Sequence, residues 1–396
     1  MTRVTSVFSQ ILQLFPRLEF ENAVKFHKAE RHSRGFSCWG QFIAMLFCQL
    51  GRAHSLREIT QGLAASEGKL RHLGLQETPK RSTLSYANAH RPWELYQMIF
   101  EILYRRCSAT AATAQRKFVF HHKLLSIDST VITVCTSLFQ WANYTRRKGA
   151  LKLHLLLDHD GYVPKFAVIT DGNESDISVA LGMEFEPGTM LVFDRGYLRY
   201  GWWAGLSSRG IWFVTRLREN ANYEVIESKP LPADPNPEEK KTRVRADRKI
   251  VFPGQKRQKN PAEFRLVEIC TEDGEVLEFV TNAHHLEALT VAAVYKQRWQ
   301  IETFFRSLKQ LLKIKTFVGT SENAVRTQIW TALIAMLILR YLKLRASFNW
   351  SLSNLLALLR QQLFVHRDLW AWVNQPFEPP PEVSGLQPSL WPETRA

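Results

Sequence analysis

Two short apolar runs, each interrupted by a single aspartate, constrain this chain most. Leu124-Leu-Ser-Ile-Asp128-Ser-Thr-Val-Ile132 and Met190-Leu-Val-Phe-Asp194-Arg-Gly-Tyr197 read as buried strands. The acid lies inside the first and at the end of the second, which runs on into a glycine turn. A carboxylate taken out of water is costly unless it is paired or binds a metal. One aspartate at a strand end is more often a turn residue or a helix cap. Two of them on matching runs make coincidence harder to sustain.

A third acid comes late, in Tyr295-Lys-Gln-Arg298-Trp-Gln-Ile-Glu302-Thr-Phe-Phe-Arg306-Ser-Leu-Lys309. At about 100° per residue, Tyr295, Arg298, Glu302, Arg306 and Lys309 fall within about 40° of one line on a single helix. Val294, Trp299, Ile301, Phe305 and Leu308 fill most of the remaining circumference, which predicts a largely buried helix. The ordinary alternative is a partly exposed helix with the pairs Arg298/Glu302 and Glu302/Arg306, worth a few tenths of a kcal/mol each. A carboxylate among three cations, an aromatic hydroxyl and an apolar shell suits a metal ligand beside a phosphate chain. With Asp128 and Asp194 it makes an oxygen-donor set of the kind Mg²⁺ or Mn²⁺ takes. Asp158, Asp160 and Asp171 read as turn residues, and His154 as a hydrogen-bonded core histidine near this site.

The rest of the chain divides by pattern. Residues 1–115 read as helical. Ser55-Leu-Arg-Glu58 is a capping box for a helix over 56–63, and Ser82 or Thr83 caps a second over 84–90, stopped by Pro92. That second helix carries Lys80, Arg81, Ser85, Tyr86, Asn88 and Arg91, side chains suited to phosphates and base edges in a helix-turn-helix-like reader; a helical bundle with a solvated basic rim fits the pattern equally. Residues 116–217 read as three strands, a short helix over 177–183 and two more strands. With the Glu302 helix in 284–375, this is the element order of an RNase H-like core. Between them, 218–283 is a mostly β insertion that begins with clustered prolines and the charge run Glu238–Lys249, read as a solvated loop or a DNA contact. From 376 to 396 a proline-rich tail reads as extended. The longest apolar run, Ile329–Leu339, is too short to span a bilayer. Five scattered cysteines support neither a zinc module nor a disulfide framework, and a reducing cytoplasm is the default. The net charge of +15 suits a protein that handles a polyanion.

These motifs resemble the IS4 family of bacterial DDE transposases, the enzymes that mobilise insertion sequences. The family's signature on the third acid is Tyr, two residues, Arg, three residues, Glu, six residues, Lys, and Tyr295, Arg298, Glu302 and Lys309 match it without a spacing error. Asp194-Arg-Gly-Tyr197 and Asp128-Ser-Thr resemble the blocks of the other two acids. Phe36–Phe47 with Ser55–Ile59 is similar to the helical N-terminal domain, of the DUF4372 type, of one subgroup; Lys80–Asn88 and Lys148–His154 are similar as well. The resemblance covers roughly residues 15–375. One departure is Ser175-Asp176, where relatives carry His-Asp.

The resemblance implies an α/β protein: an RNase H-like catalytic core interrupted by a β insertion, behind an all-α DNA-binding domain. It implies a nucleoid-associated cytoplasmic enzyme that binds the terminal inverted repeats of its own element and acts as a homodimer when two ends are synapsed. Two metal ions about 4 Å apart would serve in-line displacement, Asp128 bridging both and Asp194 and Glu302 each holding one. Tyr295, Arg298, Lys309 and Arg306 would bind the phosphate chain beside the cut. Water attacks first; the freed 3′-OH then attacks the opposite strand to make a hairpin, or target DNA to join it. An unstacked base near the site would need an aromatic partner, for which Trp212, Trp299 and Phe252 are candidates. Two other readings share much of this evidence: an RNase H-fold nuclease without strand transfer, and a non-catalytic DNA-binding repressor descended from a transposase.

Overall fold

The computed structural model describes residues 5–31, 33, 35–66, 70–111, 122–135, 139, 141, 143–145, 148–231, 242–253, 262–312 and 316–377. The tail beyond 377 and the prolines at 232, 235 and 237 lie outside these residues.

Strand β1 (Leu124–Val134) is the centre of the architecture. On one side it pairs antiparallel with β3 (Lys148–Asp158), which in turn pairs with the short β2 (Asn143–Thr145) and with β4 (Val163–Asp171). On the other side β1 runs parallel to β5 (Met190–Val192), and β5 parallel to β6 (Trp212–Arg216). The sequence β4–β3–β1–β5–β6, with the first three antiparallel and the last two parallel to the first, is the strand order of an RNase H-like core. The β3–β4 hairpin turns at Gly161, whose φ of +80° is the left-handed conformation that glycine adopts freely. Asp158 before it is buried and takes Lys123 Nζ and Tyr104 Oη, each at 2.9 Å, so it is a structural turn residue.

The insertion joins this sheet. Its strands β7 (Glu224–Ser228), β8 (Arg243–Val251), β9 (Phe264–Cys270) and β10 (Val276–Thr281) form an antiparallel set, and β10 pairs with β6. The charge run is therefore not all loop: its second half is β8. Arg245 and Arg248 reach Glu268 across the strand pair at 3.4 and 3.6 Å, and Ala246 and Ile250 turn inward. Cross-strand ion pairs let a dense charge run lie flat in a sheet, which composition alone does not show.

Helices α1 (Val7–Leu12), α2 (Arg17–Phe26), α3 (Cys38–Leu50), α4 (Leu56–Ala64), α5 (Arg81–His90) and α6 (Glu94–Ala111) precede the sheet. Ser55 caps α4 as its sequence requires: Glu58 N–H donates to the Ser55 hydroxyl, and the Glu58 carboxylate returns to the His54 N–H. Helix α5 begins earlier than expected, at Arg81, with Lys80 at its N-cap, so neither Ser82 nor Thr83 caps it. Residues 65–80, which include a 3₁₀ turn at Arg71–Leu73, separate α4 from α5. That is far longer than the tight turn of a helix-turn-helix.

Within the core, α7 (Asp176–Leu181) and α8 (Tyr200–Ser208) flank β5; α8, unread in the sequence, buries Trp202, Trp203 and Leu206 at helical spacing. After β10 come α9 (Ala288–Lys296), α10 (Trp299–Leu311), α11 (Glu322–Arg345), α12 (Leu352–Gln362) and α13 (Leu369–Asn374). The 24-residue α11 is long and apolar enough to cross a membrane by length and composition. Most of its apolar window is instead buried inside the protein, against α3, α5, α6 and α12. One apolar core unites α10–α13 with α1–α6 and with the α10-facing side of β3.

The insertion carries the most enclosed ion pair described. Arg265 on β9 grips Asp247 on β8 with Nε–Oδ1 2.8 Å and Nη2–Oδ2 2.7 Å, and its third arm donates to the Leu286 carbonyl. The side chains are 4% and 9% exposed. Arg265→Ala, which leaves Asp247 with a distant Lys229 among the described residues, is expected to cost about 3–5 kcal/mol in urea denaturation. A loss below about 1 kcal/mol would show the pair to be solvated like a surface bridge.

Candidate active site

The parallel register fixes where the first two acids meet. Ser126 on β1 aligns with Val192 on β5, so Asp128 and Asp194 both lie just past the carboxyl end of that pairing. Asp194 leaves the sheet into a 3₁₀ turn, Arg195–Tyr197, and its Oδ1 accepts the Gly196 N–H at 2.8 Å. A Cβ at position 196 would stand 2.9 Å from that oxygen, so the glycine is what lets the backbone approach the acid.

The third acid arrives on α10, but not as part of one long helix. Residues 297–301 are wound by bonds three residues back: Arg298 N–H to the Tyr295 carbonyl (2.9 Å), Gln300 to Gln297 (2.9 Å) and Ile301 to Arg298 (3.1 Å). This tightened turn divides α9 from α10 and corrects the single-helix reading. Tyr295 ends up on α9, Arg298 at the N-cap of α10, and Glu302 in its first turn. Trp299, expected in the buried circumference, is 52% exposed at the start of α10.

Arg298 binds two of the acids together. Its Nη2 donates to Glu302 Oε1 at 2.6 Å, its Nη1 stands 3.6 Å from Asp128 Oδ2, and its guanidinium lies 5.8 Å from the centre of the Tyr295 ring. Lys309, two turns further along α10, docks on β1 with Nζ 2.5 Å from Thr130 Oγ1 and 3.0 Å from the Val131 carbonyl. Arg306 is exposed, and Glu302 takes Arg298 as its described ion-pair partner.

The electrostatics of Asp128 report the convergence. Burial pushes its carboxyl up to about 7; the Ser129 N–H (2.7 Å to Oδ1) and Arg298 oppose this, while Asp194 and Glu302 add to it. Tyr197, buried behind the Asp194 turn, is held far above its ordinary value, first by burial and then by Asp176, Asp128 and Asp194. The Tyr197 hydroxyl has no hydrogen-bond partner among the described residues. A half-buried carboxylate that faces two others, with the Arg298 guanidinium between it and Glu302, has with them the donor chemistry of a hard divalent cation. Among the described residues no three acidic, histidine or cysteine side chains stand close enough together to hold an ion in the present side-chain arrangement. Glu302 is instead turned to Arg298.

The other expected site residues divide. Lys80, Arg81, Ser85 and Tyr86 are exposed on α5, and Arg81, Ser82 and Ser85 line a groove of about 650 Å³ with His54–Arg57 and with Phe317 and Val318 beyond α10. Asn88 and Arg91 face the opposite way and are buried. Gln41 donates to Asn88 Oδ1 at 2.8 Å, and Arg91 binds Ser33, Gln41 and the Phe36 carbonyl. They hold α5 on α3 and cannot read DNA. Of the stacking candidates, Phe252 is fully buried with Tyr200 stacked on it at 3.8 Å. Trp212 aligns with Met190, at the far end of the sheet and about 13 Å from the level of Asp194, against His122 and His285. Only Trp299 remains both exposed and beside the acids. His154 is buried, with Nε2 2.9 Å from Thr170 Oγ1, as a core histidine should be. Asp176, which received no role in the sequence, stands behind this site.

The family described as Transposase DDE domain matches residues 120–338, which is more than half of the chain, and a Domain of unknown function (DUF4372) matches residues 3–76. The chain belongs to the DDE transposases. A transposase of Sinorhizobium fredii, y4zB, is 31% identical over 78% of this chain and 82% of its own length. The transposase of insertion sequence IS5377 of Geobacillus stearothermophilus is 29% identical over 66% and 67%. That of IS4SA of Synechocystis is 26% identical over 72% and 78%. Among solved structures, a piggyBac transposase synaptic complex with hairpin DNA aligns with 91% of this chain and 80% of that one, at a TM-score of 0.44 and 9% identity, too distant to decide anything here. DDE transposases act on DNA and generally use divalent metal ions.

Asp128 gives this site a pH signature. A carboxyl raised from 3.8 to about 7 on folding stabilises the fold fully below pH 4, and that contribution is lost as pH rises through 7. The metal-free protein is expected to lose stability between pH 4 and 7, and Asp128→Asn to flatten that slope in thermal melts. Parallel slopes in the two proteins would show Asp128 to be solvated.

Proposed function

We propose that this protein cuts and joins DNA at the terminal inverted repeats of its own insertion sequence, with Asp128, Asp194 and Glu302 as the catalytic acids. The observation that carries the reading is the convergence on Asp128: its half-buried carboxylate faces Asp194 from the fourth core strand and Glu302 from the late helix, with Arg298 reaching both Asp128 and Glu302. Mg²⁺, or Mn²⁺ in its place, would be held by those three carboxylates and would supply activation of the attacking oxygen and charge stabilisation on the leaving one. The chain's own residues do the rest. Asp128 is fixed on its Ser129 side by a backbone N–H, so its other oxygen faces the cleft. Arg298 is placed to bind the phosphate beside the scissile bond, with Tyr295 on the same phosphate chain. Lys309 holds α10 against β1, with its ammonium group beside the strand that carries Asp128.

Water attacks first and leaves a 3′-OH; the same cleft then serves hairpin formation and joining to target DNA, because only the attacking oxygen changes. Trp299, exposed beside Arg298, offers a ring face to an unstacked base. The surface of α5 with Lys80, Arg81, Ser85 and Tyr86 binds the repeat itself, two copies of the chain bring two ends together, and the enzyme works in the cytoplasm on the nucleoid.

Incubated with a labelled fragment ending in the terminal repeat, the wild type is expected to give metal-dependent nicks or hairpins at the repeat boundary. Alanine at Asp128, Asp194 or Glu302 is expected to abolish them with end binding intact; loss of binding instead would make the acids structural. Uniform cutting that ignores the repeat would mark a general nuclease, and tight binding without cleavage a repressor. Lys309→Ala is expected to weaken cleavage more than binding, and equal losses would remove it from the site. End binding is expected to fall with salt at a log–log slope of about −0.9 per phosphate contacted; a flat response would contradict a basic DNA-binding surface.

A further inference from the structure

Asp176 opens α7 on the face of the sheet turned away from α10. Side chains alternate along a strand, so Asp128 and Thr130 point toward Arg298 and Lys309 while Ser129 points the other way. Ser129 stands opposite His154 in the β1–β3 register, and His154 and Lys152 share that face. All three meet at Asp176. Lys152 Nζ lies 3.1 Å and His154 Nδ1 3.3 Å from Asp176 Oδ1, and the Ser129 hydroxyl hydrogen-bonds the same carboxylate. The cluster is itself anchored: His154 Nε2 is held by Thr170, and Lys152 also donates to the Glu174 carbonyl at 3.0 Å. Helix α7 packs on the 3₁₀ turn that follows Asp194.

Ser129 is the link between this buried knot and the cleft. Its side chain is held by Asp176 from behind, and its backbone N–H donates to Asp128 Oδ1 at 2.7 Å in front. We propose that Asp176 is a positioning residue for cleavage, fixing Ser129 so that its N–H sets the orientation in which the Asp128 carboxylate meets a divalent cation. Asp176 touches neither cation nor DNA. It acts as partners one layer behind a metal ligand do elsewhere, where their loss costs 10–100-fold in affinity or activity. Lys152 and His154 keep its own charge compensated, so the strut stays in place whether or not the cleft is loaded.

This rests on the catalytic reading of Asp128, and two readouts separate the two. One is calorimetric Mn²⁺ binding to the full chain without DNA; the other is the Mn²⁺ concentration giving half-maximal cleavage of terminal-repeat DNA. Asp176→Ala and Ser129→Ala are each expected to weaken both by roughly 10–100-fold with end binding unchanged. Because they act through one contact, the double variant is expected to lose no more than the worse single. Asp176→Asn, which keeps an acceptor for Ser129, is expected to lose less. A folded Asp176→Ala with wild-type Mn²⁺ affinity, or losses that multiply in the double variant, would overturn the strut. Should Asp176→Ala fail to fold, Ser129→Ala decides: unchanged Mn²⁺ affinity overturns the proposal. Wild-type protein that neither binds Mn²⁺ nor cuts would overturn the catalytic reading along with it.

Discussion

Arg298 stands between two carboxylates from distant parts of the chain, 3.6 Å from Asp128 on the central strand and 2.6 Å from Glu302 on the late helix. All three side chains are largely withdrawn from water, so removing the guanidinium would leave like charges facing each other in a medium that screens them poorly. The same contact sets the position of α10. With Lys309 docked on Thr130 and Val131, the helix is tied to β1 at two points about 16 Å apart along its axis. The tightened turn at 297–301 is what places Arg298 at the start of α10, above the acids rather than along the helix from them.

The remaining architecture keeps those two tie points in register. β1 is paired with β3 over Leu125–Val134 and with β5 over Leu124–Ser126, so the strand is held on both sides just before the first acid. The insertion closes the next exposure: β10 pairs with β6 and continues the sheet through β9, β8 and β7, where a bare edge would invite pairing with another chain. On the α10 side, the buried α11 makes the early and late helices share one core. The α5 surface and the segment beyond α10 therefore line one groove, and the proposed end-binding face is mechanically continuous with the helix that carries Glu302.

The strands bearing Asp128 and Asp194 were legible because a buried strand is a short apolar run, and an acid within it stands out. The Tyr-Arg-Glu-Lys spacing is legible as a motif although the helix is not: i→i−3 winding over five residues leaves no mark in composition. Asn88 and Arg91 look like DNA contacts on α5 alone; their partners Ser33, Phe36 and Gln41 lie some fifty residues away, and only the packed chain shows which face is inward. Phe252 and Trp212 were chosen as aromatics and lost to burial and to position along the sheet. Asp176 was passed over for the converse reason. Its meaning comes from Ser129, Lys152 and His154, which the β1–β3 register gathers on one face.

The most direct test of a single site built from three acids is anomalous diffraction from crystals grown with Mn²⁺. A peak is expected within coordination distance of an Asp128 carboxylate oxygen, ligated also by Asp194 or Glu302, with the Arg298 guanidinium withdrawn from Glu302. Manganese bound elsewhere, or Arg298 still on Glu302 at saturating metal, would contradict such a site.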